Sequence, residues 1–264
     1  MPNALDHGRD KRNYLDMQIH GDAIVLSAKK HGENNLIVTL LAAGHGRVRG
    51  LVRRPTGSQQ GLFQAGNTIA FTWQARLAEH LGHIRAELKT PIAARFMSRP
   101  ERLLALQTAC EWSALALPEQ QAHDDLYTAS LELWERLGDD YWALSTVAWE
   151  IRFLQCLGFG LDLRHCALTG ANDNLAYVSP RTGRAVSAEA AAEWADRLLP
   201  LPRFLSEGDA PLPVNDNQIL PQAMAGFRLS GHFLYQHILK NQHKDWPTAR
   251  QLLLRRLQLL QTAA

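Results

Sequence analysis

The chain has 264 residues, of which 46% are hydrophobic and 20% are charged, a balance typical of a folded globular protein. No apolar run approaches the roughly 18 residues that span a bilayer. Residues 1–16 mix both signs of charge, which favours a flexible tail over a signal peptide. The chain's three scattered cysteines do not form a disulfide framework, so we expect a reducing, cytoplasmic setting.

The net charge of +2 is divided unevenly along the chain. Residues 17–96 contain ten Lys/Arg and four Asp/Glu, a net charge of +6, whereas residues 97–264 carry −4. A basic segment joined to a mildly acidic one favours a polyanion as partner, although a basic surface can also be merely solvated.

Residues 17–96 show the alternation of polar and apolar side chains that is typical of β-strands. The predicted strands are 22–27, 35–41, 47–54, 68–76 and 83–89. Gly44 and Gly46 supply the positive φ angles that a tight hairpin turn needs. Short strands with glycine-rich turns favour a small closed barrel, the OB-fold, although an SH3-like barrel or a sandwich fragment gives a similar pattern.

From Pro100 onward the apolar residues recur at helical spacing, so residues 97–264 are predicted to form an all-α helical domain. Gly, Pro, Asn, Ser and Thr dominate residues 158–187, which predicts a loop-rich lobe within that domain. The sequence therefore predicts a multi-domain α and β protein, with a tail (1–16), a barrel (17–96) and a helical domain (97–264).

The strand 47–54 carries the strongest candidate binding surface. Arg47, Arg49 and Arg53 alternate with apolar residues, so they project from one face at spacings that suit neighbouring phosphates. Phe71 and Trp73 are predicted to be buried, which favours electrostatic binding over base stacking. The alternative is an edge strand whose arginines deter aggregation.

The sequence gives little indication of catalytic residues. Glu87 and Lys89 match the acidic-x-Lys element of some metal-dependent nucleases, but that chemistry needs a second acid on a neighbouring strand. Only Asp22 and Glu33 are available, and both lie near strand ends. No phosphate-binding loop or hydrolase motif is present. We expect a protein that is not an enzyme and has no catalytic residues.

The cysteines do not indicate a zinc site. Structural zinc needs four ligands at short paired spacings, and the chain has no C-x-x-C pair. Cys110 and Cys156 lie on predicted helix faces and are expected in the core, while Cys166 stands beside His165. We expect neither a metal nor another cofactor.

Eight segments, taken in chain order, carry a resemblance to a known family. They are DAIVL (22–26), GENNLIV (32–38), GRVRGLVR (46–53), LFQAGN (62–67), LGFG (157–160), CALTG (166–170), YVSP (177–180) and GRAV (183–186). From about residue 17 to the end, the chain resembles the RecO family of bacterial recombination-mediator proteins.

The resemblance implies an N-terminal OB-fold, a helical domain, and a lobe that in many members is a zinc finger of two C-x-x-C pairs. Cys166 matches the first ligand, but Thr169 occupies the second position, and Ser187 and Ala190 fall where the second pair would lie. The resemblance therefore implies a degenerate, zinc-finger-like lobe, which we expect to be held by packing. The expected packing residues are Leu168, Tyr177 and Val186.

The resemblance also implies a function. RecO proteins bind single- and double-stranded DNA, anneal complementary strands, and act with RecR to let RecA replace the single-stranded-DNA-binding protein. The acidic tail of that protein is expected on the helical domain, and the cytoplasmic nucleoid is the expected location. The expected DNA-binding residues are Lys29, Lys30, Arg47, Arg49, Arg53, Arg54, Arg76 and Arg85.

Other functions stay open from the residues alone. An OB-fold RNA-binding module fits the basic barrel equally well. A nuclease using Glu87 and Lys89, or a scaffold whose basic barrel is incidental, are further alternatives.

Overall fold

A computed structural model describes residues 17–53, 57–77, 81–206, 216–240 and 243–263. The predicted tail (1–16) lies outside the described residues. The chain forms a β domain followed by a mainly helical one. None of the helices in the described ranges is long and apolar enough to cross a membrane.

The β domain is a closed barrel of five strands in the order β1-β2-β3-β5-β4. The strands are β1 (Met17–His31), β2 (Asn35–Ala42), β3 (Gly46–Arg53), β4 (Thr68–Ala75) and β5 (Gly82–Thr90). A short helix, α1 (Gly57–Leu62), connects β3 to β4. All neighbouring pairs are antiparallel except β3 and β5, which run parallel.

The barrel closes at a crossing of two glycines. Gly50 and Gly82 pair across β3 and β5, and a Cβ atom on Gly50 would overlap Ile84. A Cβ atom on Gly82 would overlap the indole of Trp73, whose Nε1 donates a 2.9 Å hydrogen bond to the carbonyl oxygen of Arg49. Backbones approach this closely only where no side chain intervenes.

The C-terminal domain packs its longer helices around a common apolar core. The helices that follow the barrel are α2 (Ile92–Arg95), α3 (Pro100–Ala116), α4 (Asp124–Arg136), α5 (Trp142–Cys156), α6 (Ala188–Ala191), α7 (Arg203–Ser206), α8 (Asp216–Leu234) and α9 (Thr248–Ala263). A π-helical turn (Tyr235–Leu239) continues α8.

The prediction of an all-α domain was wrong in the lobe. A small antiparallel sheet in the order β7-β6-β8 is formed by β6 (Leu175–Val178) and β7 (Ala185–Ser187) within the lobe and by β8 (Leu199–Pro200) just after it. The turn signals that indicated a loop join strands of only two to four residues, too short to show an alternating pattern.

A buried ion pair between α5 and α9 lies in the helical core. Arg250 donates hydrogen bonds of 2.7 and 3.0 Å to the carboxylate of Glu150, whose side chain is fully buried. Ser230 and Trp112 donate to the same carboxylate, at 2.5 and 3.3 Å. The guanidinium also lies 4.9 Å from the ring centroid of Trp246, so both charges are compensated inside the core.

Both apolar and polar contacts join the two domains. Ile24, Leu26 and Leu41 of the barrel belong to the same apolar cluster as helices α3, α4 and α5. In addition, the tip of the β2–β3 hairpin docks on the loop before α4. There the backbone N–H of Gln120 donates to the carbonyl oxygen of Arg47 at 2.9 Å.

The hairpin tip fits this loop only because glycine occupies its closest position. Gly46 has φ +70°, and a Cβ atom there would overlap the carbonyl oxygen of Gln121. Gly44 has φ +71° but open space around it, and its N–H donates to Asp124 Oδ1 at 2.7 Å.

These two glycines make a matched test of the docking. Gly44→Ala should lower the free energy of unfolding by about 1 kcal/mol, because alanine disfavours positive φ. Gly46→Ala should cost at least about twice as much, because the same strain is joined by a backbone overlap. Denaturant unfolding measures both variants, and equal losses would contradict the tight contact at Gly46.

Candidate nucleic-acid interface

The basic face of β3 is formed as the sequence predicts. Along the strand Gly46, Val48, Gly50 and Val52 are buried, and the residues between them are half-buried or exposed. The outward row consists of Arg47, Arg49, Leu51 and Arg53. This alternation follows from the period of two residues in a strand.

Two of these arginines face the helical domain. Glu119 Oε1 lies 3.5 Å from Arg47 Nη2 and 3.2 Å from Arg49 Nη1. One carboxylate therefore partners two guanidinium groups, and the first is also covered, with 19% of its side chain exposed. The sequence could not show this contact, because Glu119 is 70 residues from Arg49 along the chain.

The environment of Arg47 is that of an interface residue. Its Nε is buried and has no hydrogen-bond partner among the described residues. Burial lowers the pKa of the guanidinium, the carboxylate of Glu119 opposes that effect, and Arg49 adds to it. Of the three arginines in the row, Arg47 is the least available to a ligand.

The other end of the row is open. Arg53 and Arg85 are exposed, and neither forms an ion pair within the described ranges. Arg53 Nη2 lies 3.2 Å from Nε2 of His83, which is also exposed. These three side chains line a cavity of about 810 Å³ between the end of β3 and β5. The cavity was not predicted, because pairing between these strands cannot be derived from either strand alone.

The remaining predicted residues lie around this region or outside it. Lys29 and Lys30 are exposed at the end of β1, and Lys29 lies in register with Ile37, which in turn faces Leu51 on β3. Arg76 is exposed just after β4. Arg54 lies outside the described residues. Among the described residues of the predicted set, Arg53 and Arg85 therefore lie at the open end of the row, and Arg47 and Arg49 lie at the end that the helical domain covers.

The possible nuclease pair is not assembled as an active site. Lys89 donates a 2.6 Å hydrogen bond to Asp22. The carboxylate that a metal ion would need as a ligand is therefore already paired with the lysine. Among the described residues, no three His, Cys, Asp or Glu side chains come close enough to hold a metal ion.

The four positions at which many family members carry zinc ligands lie close together here. They are Cys166, Thr169, Ser187 and Ala190. Cys166 is buried, and its Sγ lies 3.7 Å from Ser187 Oγ and 3.4 Å from the Ser187 N–H, which donates to it. Ser187 Oγ accepts the N–H of Ala190 at 3.4 Å and so caps α6. One thiol, two hydroxyls and an alanine do not provide the ligands of a structural zinc ion.

Hydrogen bonds stabilise the thiolate form of Cys166. Burial raises its pKa, but donors from the Thr169 side chain and from the backbone of Ser187, Thr169 and Leu168 outweigh that effect and lower it to about 6. Of the predicted packing residues, Val186 is buried and Tyr177 is half-buried against the core. The prediction was wrong for Leu168, whose side chain is 68% exposed and whose backbone donates to the Cys166 thiol.

A closed barrel with an outward row of cations, joined to a helical domain, defines the class: a two-domain protein with a basic surface on its β-barrel. Residues 17–92 match the family model "Recombination protein O N terminal", and residues 97–247 match "Recombination protein O C terminal". The chain belongs to the RecO family.

Similar proteins carry the same family name. The DNA repair protein RecO of Rhodospirillum rubrum is 44% identical over 242 residues, which cover 89% of this chain and 94% of that protein. The RecO protein of Granulibacter bethesdensis is 40% identical over 251 residues, covering 92% of this chain and 97% of its own length.

The thiol of Cys166 should titrate at unusually low pH. We expect thiolate absorbance near 240 nm to rise with a midpoint near pH 6. Burial raises the pKa of Cys110 and Cys156, so neither contributes in this range. Thr169→Val should move the midpoint upward, and Cys166→Ser should remove the step.

The same shift predicts how stability depends on pH. The folded state favours the thiolate, so its contribution is complete above the ordinary thiol pKa and is lost as pH falls towards 6. The stability difference between wild type and Cys166→Ser should therefore shrink from pH 9 to pH 5. A difference that does not change with pH would contradict a stabilised thiolate.

Proposed function

We propose that this protein is a recombination mediator in DNA repair that is not an enzyme. In this role it binds single- and double-stranded DNA and anneals complementary strands. With RecR, it helps RecA to load on DNA covered by the single-stranded-DNA-binding protein. Membership of the RecO family supports the role in DNA repair and recombination.

The observation that carries the DNA-binding part is the open end of the basic row. Arg53 and Arg85 are exposed beside a concave surface, and Lys29 lies two strands from Leu51, about 10 Å away at normal strand spacing. Cations at such spacings suit successive phosphates. We propose Arg53, Arg54, Arg76, Arg85, Lys29 and Lys30 as the principal contacts.

Arg47 and Arg49 have a different place in this proposal. Because Glu119 already partners both, a phosphate that binds there must compete with a carboxylate. We propose that Arg49, the more exposed of the two, binds DNA weakly, and that Arg47 mainly holds the domains together.

We propose that the barrel is an OB-fold. A closed five-stranded barrel in the order β1-β2-β3-β5-β4 supports an OB-fold, a common scaffold for oligonucleotide binding. We also propose that the lobe is a zinc finger that has lost its metal. The convergence of Cys166, Thr169 and Ser187 supports this descent.

Strand annealing suits this surface physically. Two DNA backbones must be screened at once without either strand being trapped, which favours several separated cations over many stacking aromatics. No bond is made or broken in such a process. We propose that the barrel contacts DNA and that the helical domain contacts the acidic tail of the single-stranded-DNA-binding protein, at the nucleoid in the cytoplasm.

Strand annealing with purified components tests the whole proposal. The protein should accelerate annealing of complementary oligonucleotides, both bare and coated with the single-stranded-DNA-binding protein. Addition of RecR should then promote RecA filament formation on coated single strands. If annealing is not accelerated on either substrate, the mediator function is wrong. Stronger competition by RNA than by single-stranded DNA of equal length would favour an RNA-binding module.

Reversal of charge at the open end should weaken DNA binding. Arg53→Glu combined with Arg85→Glu should lower DNA affinity by about tenfold or more and reduce the magnitude of its salt slope by about two. Fluorescence anisotropy over a range of salt concentrations measures both quantities. Arg228→Glu on α8 with Arg255→Glu on α9 makes the same charge change at two exposed arginines away from the barrel, and an equal loss there would show a merely nonspecific charge effect.

Removal of the competing carboxylate should have the opposite effect. Glu119→Gln should raise DNA affinity up to about fivefold, the factor that corresponds to an exposed ion pair of up to about 1 kcal/mol. The control is Glu135→Gln, which removes the same charge from an exposed pair with Arg95. If the two variants bind DNA equally, Arg47 and Arg49 have no part in the binding surface.

A further inference from the structure

The cavity between β3 and β5 is a consequence of how the barrel closes. The two strands pair over only two positions, Gly50 with Gly82 and Leu51 with His83. Beyond these two pairs lies an opening of about 810 Å³. It is lined by Val52 and Arg53 on one side and by Ile84 and Arg85 on the other. The barrel is therefore closed at the glycine crossing and open just beyond it.

The floor of this opening is apolar. Val52, Leu62, Phe63 and Ile84 line it, and each is at least 92% buried within the barrel core. Leu62 ends α1, so the short helix closes the opening from behind. The floor is thus a fixed part of the barrel core, accessible from outside along one side.

The rim of the opening is cationic and polar. Arg53, His83 and Arg85 form the basic part, and no Asp or Glu is among the described residues that line the cavity. Gln18 and Gln74, which lie side by side in register on β1 and β4, add two exposed amides. Each amide can both donate and accept hydrogen bonds, so together they suit a ligand edge of varied polarity.

We infer that this opening, the β3–β5 groove, accepts an unpaired nucleobase, while Arg53 and Arg85 on its rim hold the phosphates on either side of that base. The inference rests on the proposed DNA-binding function and adds a strand preference to it. An apolar floor with a cationic rim complements a nucleotide, which is a flat apolar ring joined to an anion.

The groove separates single strands from duplexes. In a duplex the bases are stacked and paired, so their insertion into the groove would require opening of the helix. A duplex therefore meets the rim cations only. The two amides fit the edges of all four bases, so no sequence preference is expected.

The test uses a ligand that differs only in its bases. A 12-residue thymidine strand and an abasic strand of the same length carry the same phosphates. The wild-type protein should bind the thymidine strand about tenfold more tightly, because one or more bases contribute contacts that the abasic strand lacks. Equal affinities would overturn the groove and leave phosphate binding intact.

A variant with a side chain that fills the groove provides a second test. Ala86 lines the groove and is half-buried, so Ala86→Leu should occupy the floor and remove the preference for the thymidine strand. The matched control is Ala70→Leu on β4, a half-buried position outside the groove that faces Glu87. It should keep the preference, and duplex affinity should be unchanged in both variants.

The outcomes separate the two proposals. Retention of the preference in Ala86→Leu would overturn the groove as the base site. If Ala86→Leu also lost duplex affinity, the barrel would have been damaged, and the wild-type comparison of the two strands would decide alone. Absence of binding to the thymidine strand, the abasic strand and the duplex alike would overturn the proposed function itself.

Discussion

The orientation of the barrel on the helical domain depends on the docking of the β2–β3 hairpin on the loop that precedes α4. Gly46 allows the backbones to approach, Gln120 donates to the carbonyl oxygen of Arg47, and Glu119 partners two arginines. This contact fixes how the basic barrel sits on the acidic domain, because it adds direction to an apolar interface that has none of its own. Through Glu119 it also pairs Arg47 and Arg49, two cations that the sequence alone would assign to a ligand.

The consequence is a barrel whose basic strand has two different ends. At the docked end, Arg47 is covered and Glu119 pairs with Arg47 and Arg49, so these residues connect the two domains. At the far end, Arg53 and Arg85 flank an opening produced by the short pairing of β3 with β5. The same strand thus contributes both to the stability of the molecule and to its proposed ligand surface, and the division falls near Leu51.

The sequence predicted local features well because alternation and turn residues act over short distances. The inward Val48 and Val52, the outward arginines and the helical region after Pro100 were all predicted correctly. Leu88 alternates with Ile84 and Ala86 on the predicted strand 83–89, but it is exposed, whereas Ile84 is buried and Ala86 is half-buried. Glu119 and the groove depend on distant parts of the chain that meet in the fold. The sheet of the lobe was missed because its strands are too short to show a period.

Cross-linking of a bound single strand tests the central claim most directly, that the open end of the basic row carries DNA. A strand substituted with 5-iodouracil would be irradiated in complex with the wild-type protein, and the cross-linked peptides identified by mass spectrometry. The account predicts cross-links within residues 51–53 and 83–86, around the groove. Cross-links confined to residues 97–264 would contradict it.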